Sequence, residues 1–121
     1  MAVHKCNAVV VVCIDFRFQK YIRDWLKKNF KNKTYDLVGF AGATKELDVV
    51  MKQIDISVRL HHVNGVILIH HEDCGAYGEE DSYERHVKDL CKARKRVLFA
   101  YPQVKVGLYY IYLSGKFEKI D

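Results

Sequence analysis

An uninterrupted apolar run near the start of the chain limits the possible folds more than any other feature. Residues 8–14 read AVVVVCI and contain no charged side chain. β-branched residues favour strands, and a strand without a polar face has to be covered on both sides, as in a parallel sheet packed between helices. We therefore predict that residues 8–14 form an inner strand of such a sheet.

The rest of the chain alternates helical and strand patterns, with turns such as Asn64-Gly65 between them. Further strands are predicted at 35–40, 66–69 and 104–113, with a short edge strand at 117–120. Strands that alternate with helices indicate crossover connections and a mostly parallel sheet. We predict one three-layer α/β domain, residues 1–121, with a central mostly parallel sheet of about four strands.

Three helices are predicted between these strands. The first covers 18–30. The second follows Thr44 as its cap and has an apolar stripe of Leu47, Val50, Met51, Ile54 and Val58. The third begins at an Asp81–Glu84 capping box and ends near Tyr101.

The sequence argues against a membrane-spanning protein and against a nucleic-acid-binding protein. No apolar run approaches the roughly 18 residues of a membrane span. The net charge is +5, with basic residues concentrated at 27–33 and 92–96. No aromatic residues are interleaved with them in a nucleic-acid-binding motif, so we interpret them as solvated helix faces. We expect a cytoplasmic protein whose four cysteines stay reduced and are available to metal.

Chemically reactive side chains follow two of the predicted strands. Cys13 ends the first strand, and His71 and Cys74 follow the third. In parallel sheets, ligand sites lie beyond the carboxyl ends of the strands. Two thiolates and one imidazole suit Zn²⁺ and leave a fourth position for water, whose pKa the metal lowers to about 7. We therefore predict Cys13, His71 and Cys74 as zinc ligands.

A carboxylate and a guanidinium follow Cys13 at alternate positions. Asp15 and Arg17 fall on the same side of an extended backbone as Cys13. A guanidinium can hold a carboxylate through two parallel hydrogen bonds. We predict a catalytic dyad in which Arg17 fixes Asp15 and Asp15 orients a zinc-bound hydroxide. Released from Arg17, Asp15 would be free to bind the metal and close the site.

The two motifs, C-x-D-x-R and H-x-x-C-G, resemble those of the β-class carbonic anhydrases. The resemblance covers about residues 8–115 and includes the Ala41-Gly42 pair after the second strand. It implies an α/β zinc enzyme that hydrates carbon dioxide reversibly to bicarbonate, as a homodimer or a higher homo-oligomer. It also implies metal ligation by Cys13, His71 and Cys74. The dyad it implies is Asp15 with Arg17.

This sequence departs from the family pattern at several positions. Gly39-Phe40 stands where family members usually have Arg-Asn, and Phe16 stands between the residues of the dyad in place of a small residue. The given sequence has no counterpart of the helical arm or of the glutamine that precede the first strand in many members. Two alternatives therefore stay open: a non-catalytic zinc-binding protein on the same fold, and a hydrolase of carbonyl sulfide or carbon disulfide.

Several other polar and aromatic residues lie near these motifs in the sequence. His70 and His71 face opposite ways in a strand, so only one can be a ligand, and the H-x-x-C spacing favours His71. Glu72 and Asp73 are candidates to orient its imidazole. Apolar lining for the substrate pocket is expected from Phe16, Val38, Phe40 and Tyr77. Cys91 is expected in a helix core, and neither Cys6 nor the pair His61-His62 has a motif that assigns it a role.

Overall fold

The computed structural model describes residues 3–121, in which strands and helices alternate. The strands are β1 (Ala8–Val12), β2 (Tyr35–Gly39), β3 (Gly65–His71), β4 (Lys105–Ile111) and β5 (Phe117–Ile120). The α-helices are α1 (Gln19–Asn29), α2 (Leu47–His61) and α3 (Tyr83–Ala100), and short 3₁₀ segments occupy Phe16–Phe18 and Gly75–Glu80. Residues 1 and 2 of the predicted domain lie outside the described residues. Within the described part of the chain, no helix is both long and apolar enough to span a bilayer.

The five strands form one sheet in the order β2-β1-β3-β4-β5. The first four strands are parallel, and β5 pairs antiparallel with β4 at one edge. The prediction of a single α/β domain with a mostly parallel sheet is confirmed, and the short segment at 117–120 is the edge strand. Because β1 and β3 are neighbours, their carboxyl ends meet at the same edge of the sheet.

Helices cover both faces of the sheet. On one face, Val10 and Val12 of β1 pack in an apolar cluster with α1. On the other face, Val9 and Val11 pack in a larger cluster with α2 and α3. Every residue of β1 is at most 2% exposed, so the predicted inner strand is confirmed over residues 8–12. The prediction was wrong for Ile14, which lies beyond the strand and is 61% exposed. Residues 50, 51 and 54 of the α2 stripe are buried in the larger cluster.

Two predicted helix caps are wrong. Helix α2 begins three residues after Thr44, whose side chain is buried and hydrogen-bonded to His70 instead. The α3 cap is Ser82, whose Oγ accepts a hydrogen bond from the Arg85 N–H. Asp81 lies one residue before this cap, and its carboxylate is turned towards Cys74 and His86. In both cases a buried polar group attracts the side chain more strongly than the helix end does.

Candidate metal centre

The carboxyl ends of β1 and β3 bring Cys13, His71 and Cys74 together. Cys13 follows β1 directly, His71 is the last residue of β3, and Cys74 follows three residues later. One donor atom from each lies within 4.8 Å of the other two, and all three side chains are buried. Parallel pairing of β1 with β3 positions these donors, because Val11 is in register with Leu68. The structure therefore clusters the three residues that the sequence predicted as ligands.

The imidazole of His71 is oriented by two contacts. Its Nδ1–H donates to the Glu72 carbonyl at 2.7 Å, and its ring stacks on Phe18 at 4.1 Å between centroids. Within residues 3–121, its buried Nε2 atom has no hydrogen-bond partner. A buried nitrogen without a partner is costly unless a ligand satisfies it. The Glu72 carbonyl therefore leaves Nε2 as the donor atom for a metal.

The two cysteines interact directly with one another. A hydrogen bond from Cys74 lowers the pKa of Cys13 to about 4, and contacts with His71 and with the Gly42 N–H act in the same direction. The Gly42 nitrogen lies 3.3 Å from the Cys13 sulfur. The hydrogen bond to Cys13 raises the pKa of Cys74. These contacts favour the thiolate form of Cys13 over the thiolate form of Cys74.

The pKa of His71 also depends on this thiolate. Burial alone would lower it, but contacts with Cys13 and with the Glu72 carbonyl raise it overall. The raised pKa of Cys74 favours a thiol there, whose proton a divalent cation would displace on binding. Two sulfurs and one imidazole nitrogen are donors that zinc accepts in tetrahedral sites, so the residues present fit zinc.

Asp15 is held by Arg17 beside the metal centre. The guanidinium Nη2 donates to Asp15 Oδ2 at 2.7 Å, Nε donates to Oδ1 at 3.1 Å, and the Arg17 backbone N–H donates to Oδ1 at 2.9 Å. These hydrogen bonds lower the pKa of Asp15. Its Oδ2 lies 3.9 Å from His71 Nε2. The ionised carboxylate therefore points into the space that the three donors leave open.

Arg17 has a second partner that the sequence did not reveal. Its Nη1 donates to Asp73 Oδ2 at 3.0 Å, and its Nη2 donates to the Asp73 carbonyl at 2.8 Å. Asp73 thus orients the guanidinium and not the imidazole. The Glu72 carboxylate accepts a hydrogen bond from the Leu113 N–H. Glu72 therefore orients His71 through its backbone carbonyl.

Gln19 fixes the backbone of the loop that carries Cys13 and Asp15. Its side-chain Nε2 donates to the Cys13 carbonyl at 2.9 Å and to the Asp15 carbonyl at 2.8 Å. No pattern in the sequence singles out this residue, because a glutamine in the first turn of a helix is ordinarily solvated. The hydrogen bonds prevent the loop from moving independently of α1.

An open cleft of about 630 Å³ leads to the metal centre. Its wall combines Cys13 and the dyad with apolar atoms from Ile14, Phe16, Ala41, Gly75 and Ala76, and Asp73 completes it. Of the four apolar residues expected to line a pocket, only Phe16 does so. The expectation was wrong for Val38, Phe40 and Tyr77. Val38 and Phe40 pack against the core, and Tyr77 is buried beside the two cysteines.

A buried network of hydrogen bonds runs from Thr44 to the backbone of Cys74. The Thr44 N–H donates to His70 Nε2 at 3.3 Å, so His70 carries its proton on Nδ1 and donates it to His86 Nδ1 at 2.8 Å. His86 Nε2 in turn donates to Asp81 Oδ1 at 2.7 Å, and the Cys74 N–H donates to the same oxygen at 3.1 Å. His70 thus points away from His71, as predicted. His86 carried no signal in the sequence, because it lies within an amphipathic helix.

The matching family model covers residues 3–121 and is described as "Putative carbonic anhydrase". A protein of Rickettsia bellii (strain RML369-C), described as uncharacterized, is 26% identical over 97% of this chain and 83% of its own length. The fold resembles a carbonic anhydrase from Glaciozyma antarctica, with a TM-score of 0.71, 17% identity, and coverage of 100% of this chain and 85% of that one.

A further similarity is to one of two β-carbonic anhydrases from Sordaria macrospora, which are described as tetrameric. The TM-score is 0.64 at 12% identity, with 97% of this chain and 81% of that chain covered. At these identities the solved structures establish the fold, and the family model establishes the family.

Proposed function

The chain belongs to the family described as "Putative carbonic anhydrase", and on that premise we propose that it hydrates carbon dioxide reversibly at a zinc ion. Cys13, His71 and Cys74 would hold the metal. The observation that carries the proposal is the buried Nε2 of His71, which has no hydrogen-bond partner in residues 3–121 and lies in a cluster with two thiols. Zinc, when bound there, supplies Lewis-acid chemistry that lets water react as hydroxide near neutral pH.

Asp15 and Arg17 would orient the attacking water. An ionised carboxylate accepts hydrogen bonds and donates none. Asp15 therefore accepts an O–H of the nucleophile and leaves a lone pair directed at the carbon of carbon dioxide. Arg17 keeps Asp15 in this position, because four of its hydrogen bonds end on that carboxylate. The products are bicarbonate and one proton.

The cleft suits a small apolar substrate. Ile14, Phe16 and Ala41 contribute apolar surface to its wall, beside the polar side chains of the dyad. Carbon dioxide has no net charge or dipole, so an apolar wall admits it without a desolvation cost. Arg17 offers a positive charge near the position where bicarbonate forms.

We also propose that the protein works as a homodimer or a higher homo-oligomer. Helix α1 covers Val10 and Val12 on one face of the sheet. It leaves a row of β2 side chains on the same face exposed to solvent. Leu37 of that row is 56% exposed, and the adjoining Ile14 and Phe16 are 61% and 85% exposed. This apolar row continues into the rim of the cleft, so a second copy packed on it would complete the wall. The tetrameric state of the Sordaria macrospora enzymes supports this assembly.

The test is stopped-flow hydration of carbon dioxide by protein with confirmed zinc content, across neutral to alkaline pH. We expect turnover well above the buffer rate. Asp15→Ala should retain zinc and lose most of the turnover, whereas Cys74→Ala should lose the zinc of this centre. Light scattering on the same samples, with Leu37→Lys as the interface variant, reports the assembly.

Each alternative predicts a different result. A non-catalytic zinc-binding protein would bind the metal and show no turnover at any pH. A hydrolase of carbonyl sulfide or carbon disulfide would release hydrogen sulfide from those substrates and leave carbon dioxide unchanged. Retention of the centre's zinc by Cys74→Ala would contradict the ligand assignment itself. Cytoplasmic location remains a prediction, to be checked by fractionation.

A further inference from the structure

A second cluster of metal-ligating side chains lies at the opposite end of the sheet. Cys6 precedes β1, Asp36 is the second residue of β2, and His61 is the last residue of α2. One donor atom from each lies within 4.8 Å of the other two. Seven residues of extended chain separate Cys6 from Cys13, which is roughly 20 Å. The two clusters are therefore independent sites.

From this cluster we infer that Cys6, Asp36 and His61 form a second site, which binds a borderline transition-metal ion of the Zn²⁺ class. A thiolate, an imidazole and one carboxylate are donors that zinc accepts in tetrahedral coordination. Calcium and magnesium prefer a shell of oxygens and are not served by this set. The thiolate and carboxylate together would neutralise the charge of one divalent cation.

Backbone contacts hold the donors in place without a metal. The Cys6 N–H donates to the His61 carbonyl at 3.0 Å, which joins the start of the chain to the end of α2. Asp36 is in register with Val9 in the β1–β2 pair, which places β2 beside the same segment. Three separate elements thus meet at one point through hydrogen bonds of their own. A site held in this way loses little conformational entropy when it binds an ion.

The Asp36 carboxylate is the centre of the cluster. Its Oδ2 accepts hydrogen bonds from Ser57 Oγ at 2.7 Å and from His61 Nδ1 at 2.6 Å. Burial opposes ionisation, but these hydrogen bonds outweigh it and lower the pKa of Asp36. Ser57 therefore orients the carboxylate while His61 and Cys6 face it. A metal would replace the proton that His61 now directs at this oxygen and the thiol proton that Cys6 directs at the Ala8 carbonyl.

The imidazole of His4 lies near the cluster, beside His61. Its ring centroid lies 6.3 Å from that of His61, and His4 and Cys6 are separated by one residue. All four side chains are half-buried or exposed, so an ion can enter from solvent. Once bound, it would fasten the segment before β1 to β2 and to the end of α2.

Zinc stoichiometry of the tag-free chain tests the inference. Protein dialysed against a buffer of fixed free Zn²⁺ is analysed for zinc per chain. We expect two equivalents in the wild type and one equivalent in both Cys6→Ser and Asp36→Asn. Cys91→Ser is the matched control, because Cys91 is also a half-buried free cysteine and belongs to neither donor cluster of residues 3–121. It should keep both equivalents.

The two sites can be separated in the same experiment. Cys74→Ala should retain one equivalent, which the double variant with Cys6→Ser then loses. In the Cys74→Ala protein, added Zn²⁺ should raise the melting temperature, because ligand binding to the native state stabilises it. That increase should be absent from the double variant. If the proposed catalytic centre were wrong, Cys74→Ala would lose nothing, and Cys6→Ser would still remove one equivalent.

Alkylation of the unmutated protein provides a measurement that is independent of folding defects. Zn²⁺ should slow the reaction of iodoacetamide with Cys6 and leave the rate at Cys91 unchanged, with each site assigned by peptide fragmentation. A single zinc equivalent in the wild type that survives Cys6→Ser would overturn the inference. So would two equivalents that survive both Cys6→Ser and Asp36→Asn, or equal alkylation of Cys6 with and without Zn²⁺.

Discussion

The Nδ1 atoms of His70 and His86 lie 2.8 Å apart in the protein interior, and the bond between them requires that at least one ring stays neutral. His70 is 1% exposed, and so is His86. The Thr44 N–H occupies one end of the pair, and the Asp81 carboxylate occupies the other. The direction of every proton in this network is thereby set when both imidazoles are neutral.

This pair should make the fold sensitive to mild acid. Burial lowers the pKa of His70 well below its usual value, and the nearby His86 adds to the effect. Burial also lowers the pKa of His86, against the opposing effect of Asp81. Below pH 6.5, the unfolded chain therefore binds more protons than the native one, and stability falls as pH falls. Each imidazole contributes a slope of about 1 kcal/mol per pH unit.

Urea unfolding between pH 8 and 5.5, with a chelator present, measures this slope. His86→Gln should have a shallower slope than the wild type, because one buried titrating group is removed. His62→Asn is the matched control, since His62 is exposed and asparagine tolerates its left-handed backbone. A slope that is unchanged in His86→Gln would contradict the assignment.

Asp81→Ala should weaken zinc binding at the Cys74 loop. The substitution removes the acceptor of the Cys74 N–H and of His86 Nε2 together. Loss of partners that orient a metal-binding loop commonly costs about 10–100-fold in affinity. Competition with a chromophoric chelator measures the effect. Glu84→Ala, an exposed carboxylate in the first turn of α3, should bind zinc as the wild type does, and equal affinity in the two variants would contradict the role of Asp81.

Arg17→Lys should retain zinc and lose at least about tenfold in kcat. Lysine keeps the charge but cannot donate from Nε and Nη2 to one carboxylate while also reaching the Asp73 carbonyl. Asp15 would then lose its fixed orientation. Carbon dioxide hydration and bound zinc are measured on the same sample, with Arg23→Lys on exposed α1 surface as the control. Full activity in Arg17→Lys would show that the geometry of the pair is unimportant.

Gly42→Ala should disturb both the fold and the metal centre. Gly42 has φ = +79°, and an added Cβ would lie 3.0 Å from Lys45 Cβ and 3.3 Å from Ala76 Cβ. We expect a loss of about 1–2 kcal/mol in the free energy of unfolding. Zinc affinity should also fall, because the Gly42 N–H donates to Cys13 Sγ. Gly39→Ala, whose Cβ would meet only Ile14 at 3.7 Å, should change neither quantity comparably.

Much of the fold was predictable because its signals are local. The valine run of β1 and the apolar stripe of α2 each lie within one short segment and indicate which faces of that segment are buried. The caps were not predictable in the same way. Thr44 and Asp81 have the residue types that begin helices, but each instead satisfies a buried group from a distant segment. Capping preferences amount to about 1 kcal/mol, and an unsatisfied buried imidazole or N–H costs as much or more.

The sequence by itself determined which residues are candidates for the chemistry of this protein: residue types and spacings around Cys13 and Cys74 predicted the donors and the dyad. Only the tertiary structure decided how those residues are supported. Three contacts depend on segments that approach one another in space and that no sequence pattern links. They are the hydrogen bonds of Arg17 to Asp73, those of Gln19 to the Cys13 loop, and the His70–His86 pair. Spacing along a strand predicts which side chains share a face, because the backbone repeats every two residues. Contacts between separate elements depend on how whole helices pack, which no short stretch of sequence encodes.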